Sequence, residues 1–439
     1  MKHFILSLLQ IKENNIDCTN TTVEEISHKG IKSLFITAKL TYIPTHCPDC
    51  GCMNAEYSIV KNGTRASRIT LPHISGLPAF LKLTKQRYLC KDCGHSFTAE
   101  TPIVEKYCHI STRTRQWIAH QCDQRLTEKY ISEMASVSTT TVRRVIEETA
   151  HAIRQRPTHT LPAHLCFDEF KSVKSVDTAM SFIFCDAVSH RVIDIVEDRK
   201  QYALTRYFLR YDRSVRHKVK TVTVDMYAPY FHVIQACFPK AKIIIDKFHL
   251  VQALNRELNR TRIQVMNQYR HRDRPLYNKF KRYWKLLLKP PNHLTRTEYK
   301  KYRLFSEWKS TDSIAQYLLN VDETLNANYD YAHALSDALR QGHMEQFKAL
   351  IQTSHAAPLS PGMRRVLRTF KKYAPHIEQT LHYPKLTNGP LEGINNSIKA
   401  LKRVAFGYRN FAHFRDRILL MTRLYQPEIK RAPNSRKAS

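Results

Sequence analysis

The sequence predicts a multidomain protein with a mixed α/β core. Three observations carry that reading: two C-x-x-C pairs near the start, a short helical hairpin after them, and a run of strands that gives way to helix–strand alternation and then to helices alone. At 439 residues the chain can build several hydrophobic cores. Lys and Arg total 70 against 38 Asp and Glu, for a formal net charge of +32, while 42% of residues are hydrophobic. That balance describes folded domains with a basic surface rather than a disordered tail, and it favours polyanions, nucleic acid above all. No apolar run approaches the roughly 20 residues that span a bilayer, so no membrane role is expected. The N-terminal HFILSLLQI leads into KENN without a small-residue cleavage pattern, which argues against a signal peptide and for a cytoplasmic location.

Residues 1–45 mix polar segments with one strand-like run, SLFITAKLTYI, and carry no legible role. Residues 46–100 hold HCPDCGC and YLCKDCGHSFTAE. Cys47, Cys50, Cys90 and Cys93 form two C-x₂-C pairs with 39 residues between them. Each pair is followed by Gly, which lets backbone N–H groups turn toward the thiolates. This is the pattern of a ribbon holding one structural Zn²⁺ on four sulfurs. SIVKNG and FLKLTKQRYL supply strand-like arms, and Cys52 and His95 are spare donors beside the site. Eleven cysteines, four of them in these pairs, suit a reducing compartment and a metal better than a disulfide framework. Such a ribbon can simply staple a small fold; Lys82, Lys85, Arg87 and Lys91 add a weaker reading as a DNA contact.

Residues 105–155 contain TEKYISEMASVSTTTVRRVIEETA, which reads as helix–turn–helix. Ile131, Met134, Ala135, Val137, Val142, Val145 and Ile146 supply the internal apolar contacts. Ser138 is placed to cap a short second helix, along which Thr139, Thr140, Arg143 and Arg144 are the DNA-facing candidates. Ser136 stands where such turns usually carry Gly, so strain or a different turn is expected. The plainer alternative is an ordinary helical hairpin. RQRPTHTLPAH, with its two prolines, reads as a linker.

Beyond it, residues 160–430 begin with three strand-like runs, HLCFDEFKSV, MSFIFCDAV and RVIDIVED. The helix-like YALTRYFLRY, the buried strand KTVTVDM, the helix PYFHVIQACF and the strand AKIIIDKFH follow, giving a mixed sheet with helices on both faces. From about 250 to 380 the chain is almost wholly helical and basic. Arg256, Arg260, Arg262, Lys279, Lys281 and Arg282 are expected to grip a nucleic-acid backbone there. The stretch TNGPLEGINNSIKALKR (387–403) then forms a helix with Leu391, Ile394, Ile398, Leu401 and Ala405 on one face. Glu392, Asn396, Lys399 and Arg403 share the adjacent stripe, which by itself could be a solvated polar face.

Asp168 in the first strand, Asp225 at the end of a later one and Glu392 on the helix form a candidate catalytic set. Strand C-terminal ends are where open sheets place their chemistry. Three clustered carboxylates repel unless divalent cations neutralise them, and oxygen-only donors with phosphate substrates suit two Mg²⁺ (or Mn²⁺). Alternatives stand beside two of these positions. Glu169 adjoins Asp168 but points to the other face of a strand. Asp246, followed by His249, competes with Asp225. Asp186 and Asp194 are further acidic residues in or near strands.

Taken together, CPDCG with CKDCG, SVSTTTVRR, CFDEF, VTVDMYAPYFHVIQACFPKAKIIIDKFHLVQAL, NGPLEGINNSIKALKRVAFGYRNF and FRDRILL resemble bacterial insertion-sequence transposases of the DDE type, in particular the ISL-three family. The resemblance covers nearly the whole chain. It implies an RNase H-like catalytic domain with an all-helical insertion, and Asp168, Asp225 and Glu392 as the DDE triad. It favours Asp225 over Asp246 and leaves Asp246 and His249 as a supporting or DNA-facing pair. It implies binding of double-stranded DNA, both the element's terminal inverted repeats and a target, by a homodimer or larger assembly in the bacterial cytoplasm, nucleoid-associated when on DNA. It also implies metal-dependent cleavage and strand transfer. A non-catalytic zinc-ribbon and helix–turn–helix regulator, or a structure-selective nuclease, are the competing expectations. The basic residues 431–439 read as a tail.

Overall fold

The structure is a computed structural model that describes residues 13–19, 21–154 and 160–423. The stretch HFILSLLQI, residues 155–159 of the linker and the basic tail lie outside the described residues. The chain divides into two compact units. One comprises Met1–Arg156, Val173–Ser175 and Asn396–Ser439; the other comprises Pro157–Ser172 and Val176–Asn395.

The first unit opens with a six-stranded sheet: β1 (Ile16–Asp17), β2 (Val23–His28), β3 (Ile31–Leu40), β4 (Ile59–Ile74), β5 (Leu77–Cys90) and β6 (Ser96–Thr98). The two expected arms are a long antiparallel hairpin, β4 with β5, turning at Ser75 and Gly76. The run SLFITAKLTYI is β3, and it pairs in parallel with β5. A boundary at residue 45 is therefore not a structural one: residues 16–40 share the ribbon's sheet. Their apolar side chains also share its core, where Ile36 and Leu40 pack with Ile69, Leu81 and Leu83.

Three helices follow, counting only helices of seven residues or more: α1 (Thr112–Gln121), α2 (Glu128–Met134) and α3 (Thr139–Arg154). The Ser138 hydroxyl accepts from the Thr141 N–H at 3.1 Å, as a cap should. Ile131, Ala135, Val142, Val145 and Ile146 are buried together, whereas Met134 is exposed, contrary to its expected core position. Met134 is the last residue of α2 and reaches solvent, so the apolar period carries one residue too far. Ser136 adopts φ +51°, the left-handed conformation a Gly would take without strain, and its hydroxyl is 2.9 Å from His73 Nε2. The second helix has 16 residues and is not short.

The second unit holds a five-stranded sheet of β7 (His164–Lys171), β8 (Met180–Asp186), β9 (Val192–Val196), β10 (Thr221–Val224) and β11 (Lys242–Ile245), in the order β11-β10-β7-β8-β9. β7, β8 and β9 are antiparallel neighbours; β10 and β11 join parallel to β7. The parallel pairs require crossovers, provided by α4 (Gln201–Phe208) before β10 and α5 (Ala228–Cys237) before β11. Phe167, Phe182 and Phe184 lie on one sheet face against Phe208 of α4 and Tyr230 of α5, with Phe167 and Phe208 stacked at 5.3 Å. Alternation therefore sends Cys166, Asp168, Thr223 and Asp225 to the other face.

The insertion is built from α6 (Lys247–Gln268), α7 (Arg274–Leu288), α8 (Thr311–Leu319), α9 (Glu323–Gln341), α10 (Met344–Thr353), α11 (Pro361–Lys372) and α12 (Ala374–His382), but it is not all-helical as expected: between α7 and α8, Lys300–Lys301 pair antiparallel with Trp308–Lys309. Fully buried Asn328 of α9 donates to Thr261 of α6 and to Ser360 at the head of α11, both at 2.8 Å, which fixes three helices in register. Thr380 of α12 bonds both the N–H and the C=O of Ile245, so the insertion's last helix covers the β11 edge. Arg262 corrects the sequence reading. It is 6% exposed and bonds Asn259 and the Phe280 carbonyl, so it holds α6 to α7 and does not face solvent. Arg256, Arg260, Lys281 and Arg282 are exposed, while Lys279 lies over the Phe305 and Tyr317 rings. None of the described helices is long and apolar enough to cross a membrane.

Helix α13 (Gly389–Val404) starts in the second unit and, from Asn396, counts with the first; α14 (Phe411–Arg423) lies wholly in the first. Arg417 of α14 is fully buried, and its guanidinium donates to the carbonyls of Cys122, Gln124 and Leu126 in the α1–α2 connection. Asp416 pairs with Arg154 at 3.0 Å, and His413 is 2.5 Å from Glu128. Replacing Arg417 with Met takes the donor from three carbonyls, that of buried Cys122 among them, and is expected to cost about 3 kcal/mol, since each unsatisfied buried group costs ~1–3 kcal/mol. Hydrogen exchange over residues 112–154 measures it; unaltered protection there would show that the clamp is not what holds α1–α3.

Candidate active site and metal centre

In the ribbon, Cys47, Cys50, Cys90 and Cys93 bring their sulfurs within 4.8 Å of one another. Cys47 to Cys93 is 3.7 Å and Cys50 to Cys90 is 3.9 Å. A tetrahedron with Zn–S of about 2.3 Å has edges near 3.8 Å, so the sulfurs already stand at zinc spacing and far from disulfide contact. Gly51 (φ +75°) and Gly94 (φ +72°) close the two knuckles, donating to the Cys47 and Cys90 carbonyls. The backbone N–H of Cys93 helps hold the Cys90 thiol down at about 6. Cys52 lies 3.4 Å from Cys90, outside the four.

In the second unit, Thr223 pairs with Cys166 and Val224 with Ile245. Continuing those registers puts Asp168, Asp225 and Asp246 level across three parallel strands, on the face turned from the aromatic core. Asp225 Oδ1 is 2.8 Å from His249 Nε2, which stands one turn into α6, and 3.4 Å from Asn388 Nδ2. Asp168 Oδ2 accepts from Asn395 Nδ2 at 2.8 Å, and Oδ1 accepts from the Glu169 N–H at 2.7 Å. Burial, with the charge of Asp225 adding to it, pushes the Asp168 carboxyl up to about 7. Hydrogen bonding to Asp225 raises the His249 imidazole. Asp246 is 6% exposed, pushed up by burial, and caps α6 through the Phe248 N–H.

The competing acids have other partners. Glu169 faces the opposite side, where it pairs with Arg199 and accepts from Tyr230 at 3.0 Å. Asp186 closes a turn with Ser189, and Asp194 accepts from Tyr207. Glu392 is exposed on α13, one turn before Asn395; its backbone N–H donates to the Asn388 carbonyl, and its carboxylate has no ion-pair partner among the described residues. Among the described residues the four cysteines are the only group of three or more His, Cys, Asp or Glu ligand atoms within 4.8 Å of one another, so the three acids are near in the fold without closing into such a set. Mutual repulsion opposes that closure.

Two residues that the sequence reading missed complete the geometry. Asn388 (4% exposed) ties the Phe167 carbonyl and Asp225 to the head of α13; Asn395 (7% exposed) ties Asp168 and the Glu169 carbonyl to its second turn. Their Oδ1 atoms, like Thr223 Oγ1, are buried without a hydrogen-bond partner. Unpaired buried oxygens beside carboxylates are a donor set suited to a hard divalent cation. The signal was available: Asn395 lies three residues after Glu392, on the side of α13 that carries the buried Leu391 and Ile398, whereas Asn396 is exposed. Asn396, Lys399 and Arg403 do form an exposed stripe with Glu392. Thr139, Thr140 and Arg144 are exposed on α3, while Arg143 is drawn to Glu128 at 3.0 Å.

The family profile described as "Transposase", for the DDE domain of ISL3, matches residues 165–418. The chain belongs to the ISL3 transposase family. Two further profiles agree: the helix–turn–helix domain of transposase family ISL3 matches residues 99–150, and the zinc-finger of transposases IS204, IS1001, IS1096 and IS1165 matches residues 43–93. The transposase for insertion sequence element IS1001 of Bordetella parapertussis is 25% identical over 401 residues, covering 87% of this chain and 90% of that protein. A Lactococcus lactis subsp. lactis protein named ATP-dependent protease is 35% identical over 107 residues, 24% of this chain and 34% of that one. The transposase thus joins a zinc ribbon, a DNA-binding helix–turn–helix and a DDE domain in one chain.

Asn395→Ala in this transposase removes the bond that orients Asp168. The expected result is a 10- to 100-fold loss of DNA cleavage, the scale found when a residue supporting a metal ligand is removed. Raising the Mn²⁺ concentration should restore part of it. Full cleavage by the variant at low metal would show that the Asn395 bond is incidental.

Proposed function

We propose that this transposase binds the terminal inverted repeats of its element through the ribbon and helix–turn–helix, hydrolyses a phosphodiester at each end, and joins the freed 3′-hydroxyl to target DNA. Asp168, Asp225 and Glu392 are the proposed catalytic acids. The observation that carries the reading is the level placement of Asp168, within β7, and Asp225, at the end of the adjacent parallel strand β10, with Asn395 fastening the Glu392 helix to Asp168.

Asp168, Asp225 and Glu392 would hold two Mg²⁺ (or Mn²⁺), which supply a lowered pKa for the attacking oxygen and neutralise charge on the leaving one. Around them, Asn395 and Asn388 fix the carboxylate directions, and His249 keeps Asp225 from turning away. Asn396, Lys399 and Arg403 draw the phosphate backbone along α13, and Thr139, Thr140, Arg143 and Arg144 face the repeat. Strand transfer breaks one phosphodiester as it forms another, so no enzyme-linked intermediate is required. Two ends cut together imply a dimer or larger assembly on DNA, and a structural Zn²⁺ on the four cysteines keeps the ribbon folded.

The test is a linear duplex bearing the element's terminal repeat, incubated with protein and Mg²⁺ and analysed for new 3′-hydroxyl ends. Repeat-dependent nicks are expected. Binding without nicks would favour a regulator, and cutting of branched DNA regardless of sequence would favour a structure-selective nuclease. Affinity should also fall steeply with salt, because phosphate contacts release counterions; a flat dependence would contradict the basic-surface argument.

A further inference from the structure

The first unit has a second feature that neither the ribbon sulfurs nor the helix–turn–helix explains. Strands β4, β5 and β6 and the chain from Glu100 to His109 enclose a polar cavity of about 740 Å³. Arg65 and Lys85 line it from directly opposite positions on β4 and β5, and Arg87 lines it two residues further along β5. Like charges facing each other across a ladder destabilise a sheet. Neither Arg65 nor Lys85 makes an ion pair or side-chain hydrogen bond among the described residues. Of the two carboxylates in the lining, Glu100 is paired with Lys106 at 3.0 Å and Glu105 does not offset three cations. Lys85 is set back into the wall, and burial holds its ammonium below the usual lysine range, with the nearby Glu100 carboxylate working against that and Arg65 opposite adding to it.

An independent observation lies at the rim. Tyr107 is 88% exposed, with φ +61°, and the Lys106 ammonium is 5.7 Å from its ring centre. A bulky aromatic held out to solvent in a left-handed backbone conformation is uncommon and concentrates at binding sites. A recessed lysine flanked by exposed arginines, with an aromatic at the cavity mouth, is a pattern that receives a single strand, phosphate inward and base against the ring. A duplex presents its phosphates on convex ridges and reaches a recessed lysine poorly.

We propose that this cavity binds an unpaired DNA nucleotide, with Arg65, Lys85 and Arg87 on its phosphodiester and the base on Tyr107.

Full-length, zinc-loaded protein would be titrated against a fluorescein-labelled mixed-sequence single strand of 15 nucleotides, the matching duplex, and inorganic phosphate as competitor. The Arg65→Gln/Lys85→Met pair should weaken single-strand binding at least 10-fold at low salt and reduce the log–log salt slope by about 1.4, two contacts at ~0.7 each. Tyr107→Ser should weaken it about 10-fold, within the stacking range, while leaving the slope unchanged. Repeat-containing duplex should stay within about twofold in Tyr107→Ser and lose clearly less than the single strand in the double variant, because the ribbon supplies only part of its contacts. Unchanged single-strand affinity and slope in the double variant would overturn the proposal. So would an equal loss for duplex with no effect of Tyr107→Ser, which would mark a plain backbone patch, or competition by inorganic phosphate alone at equal strength. Arg65→Gln alone, at an exposed position, guards against misfolding and must still lower the slope by about 0.7. The assay reads binding and is indifferent to whether Asp168, Asp225 and Glu392 form the triad.

Discussion

Asp168→Asn is expected to keep binding of the DNA end within about twofold while lowering Mg²⁺-dependent cleavage at least 10³-fold, the scale of losing one preorganised charge in a catalytic site. The substitution preserves shape and removes one negative charge. Asn395 Nδ2 donates to Asp168 Oδ2, and an amide oxygen can accept that bond, so α13 keeps its anchor. Cleavage surviving in the purified variant would remove Asp168 from the mechanism. The same variant makes a separate prediction about stability. Burial holds the Asp168 carboxyl up at about 7 in the folded protein, above its unfolded value near 3.8. The folded state therefore binds more protons between those values, and stability falls as pH rises through that window. Without divalent cation, Asp168→Asn should stabilise the protein near pH 8 by about 1–2 kcal/mol and much less at pH 4, after discounting for partial solvent access. Under the proposed metal assignment, added Mg²⁺ should narrow or reverse the difference, since the parent, with one more carboxylate, gains more from binding it. Thermal melts at the two pH values, with and without Mg²⁺, measure both effects.

Removing the ribbon metal should have the next largest effect, and the structure says where. Structural zinc in small folds contributes on the order of 10 kcal/mol, and losing it costs most where little else holds the chain. At the cysteine end that is the case: residues 46–58 and 91–95 are turns around the sulfurs. At the other end of the β4–β5 hairpin, Ile69, Leu71, Leu81 and Leu83 share a core with β3. Chelation or Cys50→Ser should thus abolish exchange protection around residues 46–60 and 87–98, while the sheet at 66–84 keeps much of its own. Cys52→Ser should retain zinc, because Cys52 lies outside the set of four sulfurs. Full zinc content in purified Cys50→Ser would undo the assignment of these ligands.

What the sequence made legible follows from how local each signal is. The C-x₂-C pairs, the Ser138 cap and the strands ending in Asp225 and Asp246 are written within a few residues, and all appear at those positions. The parallel pairing of β3 with β5 joins segments about forty residues apart and leaves no local mark, so residues 16–40 looked unattached. Arg262 was counted with its basic neighbours because composition does not tell which face of α6 meets α7. In α13 the stripe through Glu392 was read in steps of four to Asn396, but the amide that reaches the sheet is Asn395, three residues on. A helix offers both neighbours, and only packing selects between them.

The Arg417 clamp has a consequence for damaged copies of the gene. A chain ending before residue 411 would retain every residue of α1–α3 yet lose the guanidinium that fills the α1–α2 connection and the Leu420 side chain seated beside Ile118 and Ile146. Under the proposed binding of the element's ends, frameshifted or prematurely stopped versions would be poor competitors for them, and a decaying lineage would fall silent without poisoning its intact siblings.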